Sequence, residues 1–334
     1  ETGHYKTRLS MDIAQSSVTY DPVIGTSGGI QFLFSDMLGN TQYYCLIGNT
    51  ARTKDEILKN FNLGFTYVNL KSRLNYGFGA YHLADYYSYG YSYDETYFER
   101  KYGVLGLISY PLNRFERLEF SCYLKNATRD WYQQYIFDKA LLGEQIVSYV
   151  IDRSMWGVVA PLDGYRVRLT LGLSENVTER RMHYLLLLLD ARYYYRLAYQ
   201  SCWASRIQLG YSSGQQPHLF WLGGSWSLRG YDHFDFIGRK LIQFNNELRF
   251  PFIQYIGIFT PLAALSFNQI EGALFMDVGN AWSDQFDHFY GDFGMGMRLN
   301  LWNALCLRLD FAKTTDFKRI SHATKIQFFF GWSY

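Results

Sequence analysis

The groups most able to do chemistry in this 334-residue chain are seven histidines, four cysteines and 30 acidic residues, and their spacing restricts what they can do. His4, His82, His183, His218, His233, His288 and His322 are scattered over expected loops and strand ends, with no HExxH metal motif and no GxSxG nucleophile turn. Hydrolysis needs a nucleophile, a base and an orienting group that converge on one point. Metal centres need ligands at short, regular intervals. No catalytic residue, metal site or cofactor is therefore expected. Cys45, Cys122, Cys202 and Cys306 lie far apart without a CxxC pair and read as unpaired thiols. Asp232 and Asp235 are close enough to share a cation, yet read more simply as solvated loop acids. A net charge of +2 leaves no basic footprint for nucleic acid.

The more informative charges are Arg229 and two carboxylates that follow it. Leu228, Arg229, Gly230 and Tyr231 sit in the longest expected loop, 213–240. A guanidinium is a planar fork that meets a carboxylate through two parallel hydrogen bonds. In the next segments, strand alternation puts Glu247 on one face with Asn245 and Arg249, and Asp277 on one face with Ala273 and Phe275. Arg229 is expected to bond to Asp277, to Glu247 or to both. Such a bond would pin a loop whose ordering costs about 1–2 kcal/mol per residue. Gly230 is expected to permit a tight tip that a side chain would obstruct. The alternative is an Arg229 solvated on an open loop.

The elements that must position these groups are strands. Thirty Tyr, 26 Phe and 8 Trp make 19% aromatic residues beside only 6 Pro, a mixture that favours strands. No stretch reaches the roughly 18 consecutive apolar residues of a membrane helix; the apolar run at Leu185 to Leu189 is far too short. Barrels instead hide their apolar residues by alternating them and carry aromatic girdles at both interfaces. The mean hydropathy of -0.18 suits that arrangement.

Alternation between turn residues predicts sixteen strands, at 5–15, 26–36, 41–50, 60–70, 72–85, 95–109, 116–128, 147–159, 164–175, 182–198, 202–212, 241–250, 270–279, 289–301, 304–314 and 322–333. An even count suits a closed up-and-down barrel. Odd connections read as long outer loops and even ones as tight turns, except for a long even connection at 251–269. Leu305, Leu307, Leu309 and Phe311 would meet lipid while Cys306, Arg308 and Asp310 point inward. Val167, Leu169, Leu171 and Leu173 oppose Arg166, Arg168 and Thr170 in the same way, and Phe293, Met295, Met297, Leu299 and Leu301 oppose Gly294, Gly296, Arg298 and Asn300. The expected fold is all-β: one domain over 1–334, a closed 16-stranded antiparallel transmembrane barrel with a long loop folded inward.

Three segments then resemble a known family. Gly223 to Tyr231 carries a loop tip of the form V/I/L-R-G-F/Y, Glu247-Leu248-Arg249 an E-L/I-R strand, and Phe275-Met276-Asp277-Val278-Gly279 an F-x-D-x-G strand. Together they resemble the BamA/TamA superfamily of outer-membrane assembly barrels, or bacterial surface antigens. The tip falls between the eleventh and twelfth expected strands, the place of the sixth outer loop in that family. The final segment, with Phe328, Phe330, Trp332 and Tyr334 on one face, resembles the C-terminal signal that such barrels present for assembly. The resemblance implies a bacterial outer-membrane location in contact with outer-membrane lipids and lipopolysaccharide. It implies a periplasmic domain upstream of Glu1, and client polypeptides that are inserted or translocated. It also implies a seam between the first strand, near Tyr5 to Gln15, and the last, near Thr324 to Tyr334, that opens sideways. A second reading is a membrane anchor or passive pore that tethers the upstream domain.

Overall fold

Side chains that alternate in polarity along extended backbone commit the chain to strands whose two faces differ. A computed structural model describes residues 9–21, 25–49, 60–88, 96–131, 137–157, 160–179, 181–232, 235–259, 264–301 and 305–331. Among these residues the chain is all strand and turn, with no helix. The strands are β1 (Leu9–Asp21), β2 (Gly25–Asp36), β3 (Thr41–Asn49), β4 (Phe61–Asn69), β5 (Asn75–Ser88), β6 (Thr96–Pro111), β7 (Glu116–Trp131), β8 (Phe137–Asp152), β9 (Met155–Trp156), β10 (Pro161–Asn176), β11 (Arg181–Ala198), β12 (Ser201–Gly214), β13 (Phe220–Leu222), β14 (Phe236–Gly238), β15 (Lys240–Phe259), β16 (Ala264–Trp282), β17 (Tyr290–Leu301), β18 (Leu305–Thr315) and β19 (Lys325–Gly331).

The chain divides into two compact units, Glu1–Val147 with Gly172–His183, and Ser148–Leu171 with Tyr184–Tyr334. In the first, β1 to β7 pair antiparallel, each with the next. One face buries charge: Lys125 meets Glu144 at 2.6 Å, and Glu99 takes Lys101 at 2.5 Å and Arg129 at 2.7 Å. Val104 and Leu124 stand exposed on β6 and β7, which carry part of this face.

In the second unit β11, β12, β15, β16, β17, β18 and β19 form an antiparallel succession. Its polarity is inverted relative to a protein folded around an oily core. Arg298, Asp310 and Asp277 are buried, whereas Met295 is 60%, Ile326 63% and Phe328 66% exposed. Leu169 and Leu171 are exposed while Thr170 is buried, so the rows sorted by parity fall on opposite faces of the sheet.

Three differences from the sequence expectation have physical causes. The count of sixteen becomes nineteen among the described residues, because β9, β13 and β14 add pieces of two or three residues that are too short to show a period. The expected long connection at 251–269 is mostly strand: β15 pairs with β16 out to Phe259 and Ala264. Pro251 reads as a breaker there, but the ladder absorbs it at a register shift between Pro251 and Ile253, where a missing N–H is tolerated. The eighth strand begins at Phe137 rather than 147. Its buried row, Leu142, Glu144, Ile146, Ser148 and Val150, mixes charge with apolar residues and so conceals its alternation.

An exposed apolar row is stable only against a non-aqueous neighbour. Met295→Arg is expected to cost roughly 2–4 kcal/mol of folding stability in a lipid bilayer, read by urea unfolding in vesicles, with Met295→Leu as the neutral control. Unchanged stability of the arginine variant would contradict the assignment of this row to lipid.

Candidate functional site

The site is built by the β15–β16 ladder and by the segment between β12 and β15. Register pairs Asn245 with Asp277 and Glu247 with Phe275. Because side chains two residues apart share a face, this one alignment gathers Asn245, Glu247, Arg249, Ala273, Phe275 and Asp277 on the polar side. The segment lies against that side. Its β13 and β14 pair through Phe220 and Gly238, Trp221 and Ile237, and Leu222 and Phe236.

Arg229 occupies the centre and is buried. Its Nε donates to Asp277 Oδ2 at 2.7 Å and its Nη2 to Asp277 Oδ1 at 2.9 Å, a bidentate fork. Its Nη1 donates to Glu247 Oε2 at 2.6 Å. The guanidinium carbon stands 3.6 Å from the centre of the Phe275 ring, so the cation also faces a π-cloud. Burial alone would lower the Arg229 pKa; the Asp277 and Glu247 carboxylates outweigh it and hold that pKa above the ordinary arginine value.

The carboxylates are themselves held. Asn245 Nδ2 donates to Asp277 Oδ1 at 2.7 Å and to the Ser227 carbonyl at 2.7 Å, joining wall and loop. Glu247 Oε1 accepts from Arg249 Nε at 2.7 Å and also from Arg298 Nη2. Arg298 Nη1 reaches Glu271 at 3.5 Å. Arg229, Arg249 and Arg298 thus face Asp277, Glu247 and Glu271, three charges against three. Each of these six buried charges has an opposite neighbour, the condition under which burial is tolerated.

An apolar plug accompanies the ion network. Phe220, Leu222 and Leu228 of the segment pack with Tyr184, Leu186, Leu188, Leu241 and Ala281, flanked by Tyr231, Phe236 and Tyr290. Gly279 leaves room for this plug: an added Cβ would come 3.4 Å from Leu222 and 2.7 Å from the Ile242 carbonyl. At Gly230 the constraint is also space, since a Cβ would sit 2.7 Å from both Asp292 and Thr314 side chains. Positive φ, the other reason for glycine, falls instead at Gly223 (118°) and Gly224 (85°). The expected tight tip is therefore displaced: the sharp backbone lies upstream, and Gly230 permits close approach to the wall. Tyr231 donates its hydroxyl to the Thr315 carbonyl at 3.4 Å.

Of the residues singled out by sequence, Leu228, Arg229, Gly230, Glu247, Arg249, Phe275, Asp277 and Gly279 come together here. Phe328 lies on the exposed face of β19; the Phe330 side chain, Trp332 and Tyr334 lie outside the described residues. Asp232 and Asp235 form a local turn in which the Asp232 N–H donates to Asp235 Oδ2 at 2.7 Å, and Lys325 pairs with Asp232. Among the described residues no group of three or more His, Cys, Asp or Glu is arranged to hold a metal ion. Cys45, Cys122 and Cys202 are free thiols. Sequence reasoning placed Arg298 and Arg308 on the polar row but missed that Arg298 binds Glu247 and that Arg308 donates to the Ser225 carbonyl. A tally of unmatched charge along that row would have pointed to both.

Comparison with known proteins bears on the same region. The Omp85 superfamily domain matches residues 50–334. Among curated proteins no sequence matches. Among solved structures the chain is similar to BamA from Haemophilus ducreyi lacking POTRA domains 1-3, at TM-score 0.68 and 12% identity over 97% of this chain and 70% of that one. It is similar also to CdiB from Acinetobacter baumannii, at TM-score 0.57 and 14% identity over 98% of this chain and 60% of that one. CdiB from Escherichia coli gives TM-score 0.59 and 9% identity, with 98% and 67% covered. At such identities the likeness is one of fold.

Arg229→Lys keeps the charge but cannot reproduce the fork, and is expected to lose roughly 1.5–3 kcal/mol through one forfeited charged hydrogen bond. Arg229→Glu adds a third acid to Asp277 and Glu247 and is expected to release the loop altogether. Unfolding in lipid and protease cleavage within 213–240 read both outcomes; wild-type behaviour of both variants would contradict the anchor.

Proposed function

This chain belongs to the Omp85 superfamily and is a bacterial outer-membrane protein, and on that premise we propose that it works as an insertase or translocon for other polypeptides. Its sixteen long strands close into a transmembrane barrel over 1–334, with the 213–240 loop folded into the lumen. Closure follows from the solvent: a sheet edge left open in hydrocarbon strands its backbone N–H and C=O groups, each at a cost of several kcal/mol.

The observation that carries the reading is the buried Arg229 with its two carboxylates, because it fixes a long loop against the face that a simple pore would leave to water. A filled polar face suits low resting conductance rather than free diffusion. The exposed apolar rows meet outer-membrane lipids and, on the outer leaflet, lipopolysaccharide. A periplasmic domain upstream delivers clients, and the seam of first and last strands offers an incoming chain an edge to pair with. Binding and ordering of polypeptide is the whole of the activity in this reading, and no catalytic step or cofactor enters it.

Depletion of the protein in its native cell, followed by a quantitative census of outer-membrane and secreted proteins, tests the proposal. Loss of several barrel proteins or of a secreted polypeptide is expected, restored by wild type and not by Arg229→Glu. An unchanged census would instead assign the barrel to tethering its upstream domain, as an anchor or passive pore.

A further inference from the structure

The docked loop touches more than the β15–β16 wall. Among the described residues β19 pairs with β18 from Cys306 and Gly331 to Ala312 and Lys325. Its alternate residues Lys325, Gln327 and Phe329 each meet the loop. Gln327 accepts from Ser225 Oγ at 2.9 Å and donates its amide to the Tyr231 carbonyl at 3.0 Å, so one side chain spans the stretch that contains Arg229. Trp226 packs edge-on against Phe329 at 4.8 Å, and Lys325 pairs with Asp232. Arg308, beneath, donates to the Ser225 carbonyl and stacks over Phe329 at 5.4 Å. The intervening Ile326 and Phe328 are exposed, so the described polar side of this strand is given over to the loop.

We propose that Gln327 is a positioning residue that latches the loop to the last strand, making loop docking and the seating of β19 a single coupled equilibrium. Lys325, Gln327 and Phe329 all contact the loop, so the strand's seating and the loop's docking share one set of contacts. Conversely, Arg229 hydrogen-bonds only β15 and β16 among the described residues, so its hold reaches β19 through the loop and not through a hydrogen bond of its own. Coupling of this kind is reciprocal: loosening either end loosens the other. The consequence for polypeptide handling rests on the function proposed above, in which β19 forms one side of the seam; the latch would then set how readily that side is surrendered to an incoming strand.

Hydrogen exchange of the full chain in lipid nanodiscs tests the latch without reference to clients. Gln327→Ala removes both amide bonds and is expected to raise exchange across 325–331 about tenfold, and Ser225→Ala, which removes one, about threefold. Exchange in the loop at 225–231 should rise in both, as reciprocal coupling requires, while 240–250, laddered on both sides by β12 and β16, should stay at the wild-type level. Arg229→Lys, a change at the far end of the loop, is expected to raise exchange across 325–331 as well, which a merely local packing role for Gln327 would not produce. Should Gln327→Ala leave 325–331 protected, or should Arg229→Lys leave that strand untouched, the latch is overturned. If Gln327→Ala loosens β19 while depletion of the protein leaves the census of outer-membrane and secreted proteins unchanged, the latch stands and the insertase reading falls. Ser225→Ala keeps the test decisive if Gln327→Ala fails to fold, because it alters only a loop hydroxyl.

Discussion

A buried guanidinium must find carboxylates already in place, and the Arg229 site depends on that constraint. Asp277 and Glu247 belong to different strands and share a face only because the ladder aligns Asn245 with Asp277. A slip of one residue would turn every side chain of β16 to the opposite face, carrying Asp277 toward the apolar side and leaving Arg229 a single acid. Register, ion network and loop position are therefore one condition. Asn245 strengthens it by binding the wall carboxylate and the loop backbone with the same amide group.

The inverted faces explain why so many charges occupy the interior of this sheet. A soluble protein buries apolar surface and leaves charge in water; here Phe328 and Met295 are exposed while Arg298 and Asp310 are buried. A hydrocarbon neighbour reverses the usual preference, and the polar side must then satisfy itself with ion pairs. The loop contributes in two ways to this side. Arg229 adds a positive charge among acids, and Phe220, Leu222 and Leu228 join Tyr184, Leu186, Leu188, Leu241 and Ala281 of the wall in a small apolar core. The second contribution makes the loop a folded element rather than a strap held at one point.

Much of this was legible in the sequence because parity is a strong signal. The alternating rows at 167–173, 293–299 and 307–311 sort onto the faces that counting assigned them, and the same counting put Glu247 and Asp277 within reach of Arg229. What escaped lacked a period. Phe220 to Leu222 and Phe236 to Gly238 are too short to alternate, and Pro251 reads as a stop although a register shift accommodates it. The start of β8 was lost because Glu144 belongs to its buried row and breaks the apolar rhythm. Gln327 was invisible for a different reason. An uncharged amide leaves no charge to balance, and its partners are a hydroxyl and a backbone carbonyl more than 90 residues away. Function lies further off still, since the three motifs point to a family and specify no client.

A double-mutant cycle on Arg229 and Asp277 tests the central claim most directly, with the wild type, Arg229→Ala, Asp277→Ala and the double variant unfolded by urea in lipid vesicles. A buried bidentate pair predicts a coupling free energy of about 2 kcal/mol or more, with the double variant no worse than the poorer single one. Additivity within about 0.5 kcal/mol would mean that the two side chains do not meet in the membrane, and the anchored loop would have to be abandoned.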